Sequence, residues 1–414
     1  MWNRTLNFAY YIFNHIKNHH IRRFLVIIVR GLSQVVHPAQ IQNGFINSSF
    51  STEDTRKNRD ILDEWEKEDK KSIKSITWFI PSFDSPHAGI SNILSFIKFF
   101  LSKGIDINVV LLGSAIETSH CLHMIKKNRE FDFLEKCKIL ANPEISKLPY
   151  TDAGIATRCD TAYSLLKFNN TNSKFYFIQD DERLLYTDKV QIGLAEQTYH
   201  FGFIGITNAE CLKEMYVKEF GGKAESYFQP PNIEPVEGSN KQIRRVFFYS
   251  RPEPGNSRNG FILGLDGLKE IRKRHPEVEF VAAGSEIKFN DHGLNIKELG
   301  KVPLSQLPEF YSSCNVGIYI LLSRHTGVIP FELMASGCAV LTNRRSYEQS
   351  YLRHMGNCIL FDLTPASIAD AFDILYGNKE IYQKIIANGL KFIKEMPTLE
   401  EEIGRMYKFM VAKR

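Results

Sequence analysis

In the stretch SRHTGVIPFELMASGCAVLTN, residues 323–343, Arg324 and His325 sit in a short loop and Gly327 and Pro330 follow. A lone acid, Glu332, then falls in the first turn of an apolar helical pattern that Gly337 cuts short. Further cations stand at Arg251 and Arg258 in YSRPEPGNSRNG, and at Lys301 directly after Gly300. Each lies just past an apolar run of strand character or just before a helical pattern, so in a parallel α/β sheet all should converge on one edge. Several cations beside a helix N-terminus make an anion site, because guanidinium groups grip phosphate bidentately and unpaired amides favour negative charge. Glu332 suits either of two tasks. It complements the helix dipole, or it accepts hydrogen bonds from two vicinal hydroxyls. Phosphate on one side and a diol on the other describe a nucleotide.

A second set of polar residues precedes these. Pro86-His87-Ala88-Gly89 separates a strand pattern from a helical one, and His87 is the residue there best suited to proton handling, the alternative being a structural or solvated loop histidine. In QDDE, Asp180, Asp181 and Glu182 follow the strand-like SKFYFI. Acids at a strand end orient acceptor hydroxyls, stabilise a developing oxocarbenium charge, or merely cap a helix. The seven cysteines, Cys121 to Cys358, include no C-x-x-C pair and no histidine at metal-ligand spacing. They read as reduced thiols in a cytosolic protein, most of them filling apolar space, and no metal signature accompanies them.

The elements that must position these residues alternate regularly. ITWFIP, IDINVVLLG, SKFYFI and FGFIGIT read as buried strands, and GISNILSFIKFFLSKG reads as a helix capped by Gly104. PPNIEPVEGSN has linker composition, after which the alternation restarts with RRVFFYS, GFILGLDGLKEIRKRHP, VEFVAAG, LSQLPEFYSSC, NVGIYILLS, PFELMASG and CAVLTN. This predicts two doubly wound α/β halves, whose ligands bind at the carboxyl ends of the strands. The expected division is a helical basic and charged extension over 1–75, a Rossmann-like acceptor domain over 76–238, a Rossmann-like nucleotide-sugar domain over 239–395, and a helical tail over 396–414 that returns towards the first half.

Composition narrows the class. With 43% hydrophobic and 24% charged residues in 414, the chain is long enough for two or three globular domains. Its net charge of +5 equals the five cations among residues 1–52, which contain no acid, so the remainder is formally neutral. That argues against nucleic-acid binding, which needs a basic patch across the working domain. FLVIIV, residues 24–29, is far shorter than the roughly 20 apolar residues of a membrane span. The aromatic and basic segment 1–36 is either an amphipathic helix for an anionic membrane face or an accessory helix packed on the body.

GVIPFELMASGCAVLTN resembles the G-L-P-x-x-E-x-M-A-x-G signature of glycosyltransferase family 4, and YSRPEPGNSRNGF resembles that family's G-R-x(n)-K-G segment, with Arg258 standing where Lys is usual. LGKVPLSQLPEFYSSCNVGI is similar to its G-x-V-x-x-x-x-L-x-x-L-Y segment. Within the family, FYFIQDDERLLY and LAEQTYHFGFIGITNAECLK look most like the WsaF-like rhamnosyltransferases. The matching stretches cover roughly residues 76–345.

The resemblance implies a GT-B fold and retaining transfer of a sugar, rhamnose from dTDP-rhamnose being the specific expectation, to a hydroxyl of a growing surface glycan or glycolipid. Arg251 and Lys301 would hold the diphosphate, Glu332 the ribose, and the amides of Gly327 and Val328 the β-phosphate or donor sugar, with Arg258 a further phosphate contact. Ala88 and Gly89 match a glycine-rich acceptor-side loop in which one glycine is replaced. His87 and Asp180 are the candidate catalytic residues, Asp180 because it fills the fixed slot of the resembled Q-D-x-E pattern. Arg324 stands where the wider family has a first glutamate, and either adds a cation beside the diphosphate or is solvated; His325 fits the WsaF-like subset. No D-x-D motif occupies a plausible strand end, so neither metal nor cofactor is expected, and the protein should work on the cytoplasmic face, at most peripherally on the membrane. A nucleotide-sugar epimerase of the same fold and a non-catalytic glycan-binding or assembly protein are the alternatives.

Overall fold

The computed structural model describes residues 48–68, 72–84, 88–236, 242–252, 257–345 and 351–412. The expectations for residues 1–36, for His87 and for the domain boundary at residue 238 lie outside them. The described residues form two compact units: residues up to Phe177 together with Gly193–Phe203, and Ile178–Ile192 together with Ile204–Ala412.

The first unit opens with helix α1 (Thr52–Lys67), started by a capping box in which Asp54 N–H donates to Ser51 Oγ and Ser51 N–H donates to Asp54. Its charge density reads as a fully exposed helix or linker, yet Trp65 and Asn58 are buried, and Asn58 Nδ2 donates to Phe201 O at 2.7 Å. One apolar stripe is enough to dock a charged helix. Strands β1 (Ser75–Pro81), β2 (Asp106–Leu112), β3 (Lys138–Ala141), β4 (Thr151–Ala156) and β5 (Thr171–Ile178) lie in the order β3-β2-β1-β4-β5. All four pairings are parallel. Helix α2 (Ala88–Ser102) crosses from β1 to β2 and stops at Gly104, whose φ of +74° is the left-handed conformation expected of its cap. Helices α3 (Ala115–Lys127) and α4 (Cys159–Lys167) complete the crossovers. Helix α5 (Lys189–Tyr199) follows β5 in the chain.

The second unit includes the parallel pair β6 (Ile204–Thr207) and β7 (Ala224–Ser226), bridged by α6 (Glu210–Phe220). Its main sheet has six parallel strands: β8 (Arg245–Tyr249), β9 (Glu279–Ala283), β10 (Lys297–Glu298), β11 (Val316–Tyr319), β12 (Ala339–Asn343) and β13 (Ile359–Phe361), in the order β10-β9-β8-β11-β12-β13. Helices α7 (Phe261–Arg274), α8 (Leu307–Ser312), α9 (Ile329–Ala335), α10 (Pro365–Gly377) and α11 (Lys379–Glu395) cover it, and α12 (Leu399–Val411) ends the unit.

Both faces of this sheet are buried, which explains why its strands are apolar without alternation. Phe248 and Leu341 belong to one core with Leu268 and Phe372, while their neighbours Phe247 and Val340 belong to another with Tyr311, Leu333 and Ile393. Helix α7 lies close because Gly264 and Gly267 face inward: a Cβ would collide with the Phe248 ring in the first case and meet Ile368 at 2.6 Å in the second. Helix α12 reaches the β7 region. Glu402 accepts from Phe228 N–H at 2.8 Å and Arg405 donates to Ser226 O. Six of the seven cysteines are buried and all are free thiols. Among the described residues no helix is long and apolar enough to cross a membrane.

Candidate functional site

Strand order reverses between β8 and β11, and in open α/β sheets the crevice beyond such a switch point is where ligands bind. Arg251 leaves the end of β8 two residues after Tyr249, Lys301 follows β10, and the 320–328 loop follows β11 and leads into α9. The sheet therefore gathers Arg251, Lys301, Arg324, His325, Gly327, Val328 and Glu332 at its carboxyl edge. Close packing keeps the edge tight. Gly284, with φ of +134°, passes so near β8 that a Cβ would stand 2.7 Å from Ser250 O. Lys301 holds its backbone by donating N–H to Glu286 Oε1 at 3.1 Å, and its side chain is exposed.

Helix α9 is short because of its cap. Cys338 N–H donates to Leu333 O and Gly337 N–H to Met334 O, with Gly337 at φ of +69°, which is a Schellman ending. At the other end Val328 O accepts from Phe331 and Glu332 N–H. This puts Glu332 in the first turn, as its spacing implied, but not in solvent. It is 5% exposed, and burial pushes its carboxyl up to about 7, although Tyr311 Oη donates to Oε2 at 3.3 Å and pulls the other way. A proton is thus shared between solution and this carboxyl near neutrality. The aromatic rings of Tyr249 and Tyr319, at the ends of β8 and β11, lie 5.4 Å apart.

The oxygens of Asp180, the candidate catalytic acid, are engaged within the protein. Arg258 Nη1 and Ser323 Oγ both donate to it, Asp181 N–H donates to Oδ1 at 2.8 Å, and His325 Nε2 stands 3.6 Å from Oδ2. Through Nη1, Arg258, the expected further phosphate contact, is ion-paired with this buried acid. The backbone repeats the tie, since Leu322 N–H donates to Arg258 O. Asp180 therefore joins the turn before α7 to the loop after β11.

Arg324 is neither solvated nor an open cation. Its Nε lies 3.2 Å from Asp181 and its Nη2 2.6 Å from Glu219, while Arg183 contacts Asp181 at 2.8 Å and Glu219 at 2.9 Å. Two acids and two guanidinium groups alternate around a closed ring, which balances charge and satisfies planar donors bidentately. Gly327 departs from expectation in a similar way. Its amide donates to His325 Nδ1 at 3.0 Å, so in this arrangement it is not offered to a phosphate. Its φ of +75° and the Tyr319 hydroxyl, 2.5 Å from where a Cβ would sit, require glycine here. Burial holds the His325 imidazole below its usual pKa, Asp180 opposes that, and Arg258 and Arg345 reinforce it.

Ala88 is exposed and Gly89 half-buried in the first turn of α2, where the sequence placed the acceptor-side loop. Three participants had gone unassigned. Ser323 is fully buried, Glu219 closes the four-charge ring from the end of α6, and Arg345, just past β12, donates through Nη1 to His325 O at 2.8 Å. Arg345 follows the rule that singled out Arg251, a cation one or two residues past a strand. Nothing in the pattern around Glu219 marks it, because its partners are remote in sequence.

Residues 244–373 match the family model for the C-terminal domain of WsaF. Over 352 residues the chain is 30% identical to the O-antigen biosynthesis protein RfbC of Myxococcus xanthus, covering 82% of this chain and 27% of that protein. The chain thus spans about a quarter of the length of the curated relative it matches. Among solved structures, a point mutant of S. aureus TarM in complex with fondaparinux, alpha-GlcNAc-glycerol and UDP superposes with a TM-score of 0.63 at 12% identity, over 82% of this chain and 100% of that one. HepE of Anabaena in complex with UDP gives 0.63 at 13%, over 81% and 99%. The sucrose-phosphate synthase of Thermosynechococcus elongatus gives 0.60 at 10%, over 81% and 99%. The fold is GT-B. At these identities the structural likenesses carry the architecture of the GT-B chain and leave its chemistry to its own residues.

Proposed function

We propose that this GT-B chain is a glycosyltransferase that takes a nucleotide-diphosphate sugar and transfers the sugar, with retention, to a hydroxyl of a growing surface polysaccharide or glycolipid. The observation that carries the reading is the convergence of Arg251, Lys301, the 323–328 loop and Glu332 on the carboxyl edge of the six-stranded sheet, at its switch point. Cations there neutralise a leaving diphosphate, a task that other transferases give to a divalent metal, so the reaction needs neither metal nor cofactor. Glu332, once ionised, accepts the ribose hydroxyls. Asp180 acts by holding Arg258 and the 323–325 loop in place, and His87 is the remaining candidate for proton handling on the acceptor side.

The match to a WsaF domain and the likeness to an O-antigen biosynthesis protein favour cell-envelope glycan as the acceptor and rhamnose, carried by dTDP, as the sugar. The reaction belongs on the cytoplasmic face of the membrane, with residues 1–36 as a peripheral contact. A non-catalytic glycan-binding role is the second reading, favoured by the internal pairing of Arg258 and Arg324 with acids.

Calorimetric titration of the full chain with dTDP, UDP, GDP and ADP in EDTA separates the two. Tight binding of one nucleotide, followed by release of that nucleotide from its sugar conjugate only when a lipid-linked glycan is supplied, supports transfer. Binding without turnover favours the binding role, a changed sugar on the intact conjugate without any acceptor favours an epimerase, and no binding by any of the four overturns the donor site.

A further inference from the structure

His325 occupies an amide that lies on the edge where the donor's phosphates are expected. Its Nδ1 accepts from Gly327 N–H, so that nitrogen carries no proton, and the neutral ring places its hydrogen on Nε2, towards Asp180 at 3.6 Å. We propose that His325 is a proton-coupled positioning residue: arrival of a nucleoside diphosphate beside it exchanges the Gly327–His325 hydrogen bond for a proton on Nδ1. This rests on the donor-site reading given above and adds to it a mechanism by which the site changes state.

The charges facing the ring decide the direction. Asp180, from the segment after β5, favours the imidazolium; Arg258, before α7, and Arg345, after β12, oppose it. Two phenols are also near. The Tyr319 hydroxyl lies beside Gly327, and Tyr351 lines a cavity of about 20 Å³ together with His325 and Gly327. With two cations against one acid and little water, the ring stays neutral at pH 7. A diphosphate reverses that balance, since its negative charge neutralises Arg258 and Arg345 and leaves Asp180 to pair with an imidazolium. A proton then moves from the buffer to Nδ1. Two N–H groups cannot face one another, so the Gly327 amide turns away and becomes available to another acceptor. Glycine permits the rotation, because the left-handed and extended regions are both open to it. No covalent bond forms or breaks.

The test is calorimetry of UDP binding to the full chain at pH 7.0 in PIPES and in Tris, whose heats of ionisation differ. Glu332 releases up to about half a proton at this pH as it ionises towards the ribose, so the quantity read is a difference: wild type should take up roughly half a proton to one proton more per UDP bound than a chain without the imidazole. The sign is diagnostic, since a terminal phosphate with a pKa of about 6 releases protons when it meets cations and does not take them up. His325→Asn, which can still accept from Gly327 through its side-chain oxygen but cannot titrate, should show only the release that comes from Glu332. Should that variant not fold, the UDP affinity of Glu332→Gln between pH 7.0 and 8.5 decides, where it should fall several-fold as the bound imidazolium loses its proton. Proton uptake no greater in wild type than in His325→Asn, or an affinity of Glu332→Gln that is flat above pH 7, overturns the inference and leaves the donor site standing. No binding of UDP or of dTDP, run as a second probe, overturns the donor site itself and the inference with it.

Discussion

Asp181 and Arg324 meet at 3.2 Å, and the same guanidinium lies 2.6 Å from Glu219, so that with Arg183 the four charges close a ring. The ring pins the loop after β11 to the segment after β5. Asp181 is only 4% exposed on its side chain, whereas Arg324 is 26% and Glu219 37% exposed, so one end of the network is dry and the other partly screened. Breaking a fully buried pair costs about 3–5 kcal/mol, and partial exposure lowers that. Arg324→Ala should therefore lose about 1–3 kcal/mol, read as a lower urea midpoint with an unchanged slope. Arg324→Glu, which places a third acid in the ring, should lose more. Equal stability of wild type and both variants across salt concentrations would show that the ring contributes nothing.

Arg251 tests the phosphate edge. It stands just past β8 and is half-buried. A charge-assisted hydrogen bond to an ionised partner is worth about 1.5–3 kcal/mol, hence a loss of roughly 10- to 150-fold in nucleoside diphosphate affinity for Arg251→Ala. Melting temperature should stay within a few degrees. The same affinity with and without Arg251 would remove it from the site, and a matching loss for Lys301→Ala would extend the site across β10.

The architecture was legible where apolar runs are long. Both α/β halves, the helix capped at Gly104 and the short helix ended by Gly337 follow from periodicity and cap chemistry in the chain. The site was legible as positions, since a cation past a strand must reach the sheet edge. Its pairing was not. Asp180 and Arg258, Asp181 and Arg324, and Arg183 and Glu219 are joined by tertiary folding, and no local pattern distinguishes a guanidinium that waits for phosphate from one that already holds a carboxylate. The burial of Glu332 was hidden for the same reason, because Tyr311 reaches it from α8. Strands β4 and β13 escaped notice because their runs, TDAGIA and ILF, are short or rich in small residues.

Glu332→Gln separates stability from binding. Burial raises the folded carboxyl to about 7 from 4.5, so its contribution to stability is fully present below 4.5 and is lost as pH rises through 7. Gln reproduces the neutral form. The variant should match wild type at pH 4.5 and become the more stable of the two by pH 8, by about 2–3 kcal/mol at most. Nucleotide binding should move the other way, with Gln a poorer acceptor for two hydroxyls than a carboxylate. A stability gap that does not change with pH would mean that Glu332 ionises alike in both states.

Lys174 supplies the sharpest pH test in the first unit. It lies on β5, fully buried, and its Nζ donates to Leu166 O at 2.9 Å at the end of α4 and to Asn169 Oδ1 at 3.4 Å. Burial lowers its pKa to about 7 from 10.5, and the charge of Asp54 opposes this only in part. Between those two values the unfolded chain binds more protons than the folded one, so stability rises with pH across the window. Below about 7 both states are protonated and the buried ammonium imposes its full cost. Lys174→Met fills similar space without a charge, though it leaves Leu166 O without this donor, which takes back about 1–3 kcal/mol. The variant should gain on the order of 2–4 kcal/mol over wild type at pH 6.5. That advantage should shrink steadily towards pH 10, where the wild-type lysine is neutral in the folded protein and about a quarter neutral in the unfolded one. Urea midpoints of both proteins at pH 6.5, 8.0 and 9.5 give the measurement. A gap that stays constant over that range would show that Lys174 keeps its proton on folding, and that the carbonyl of Leu166 and the amide of Asn169 solvate it as well as water does.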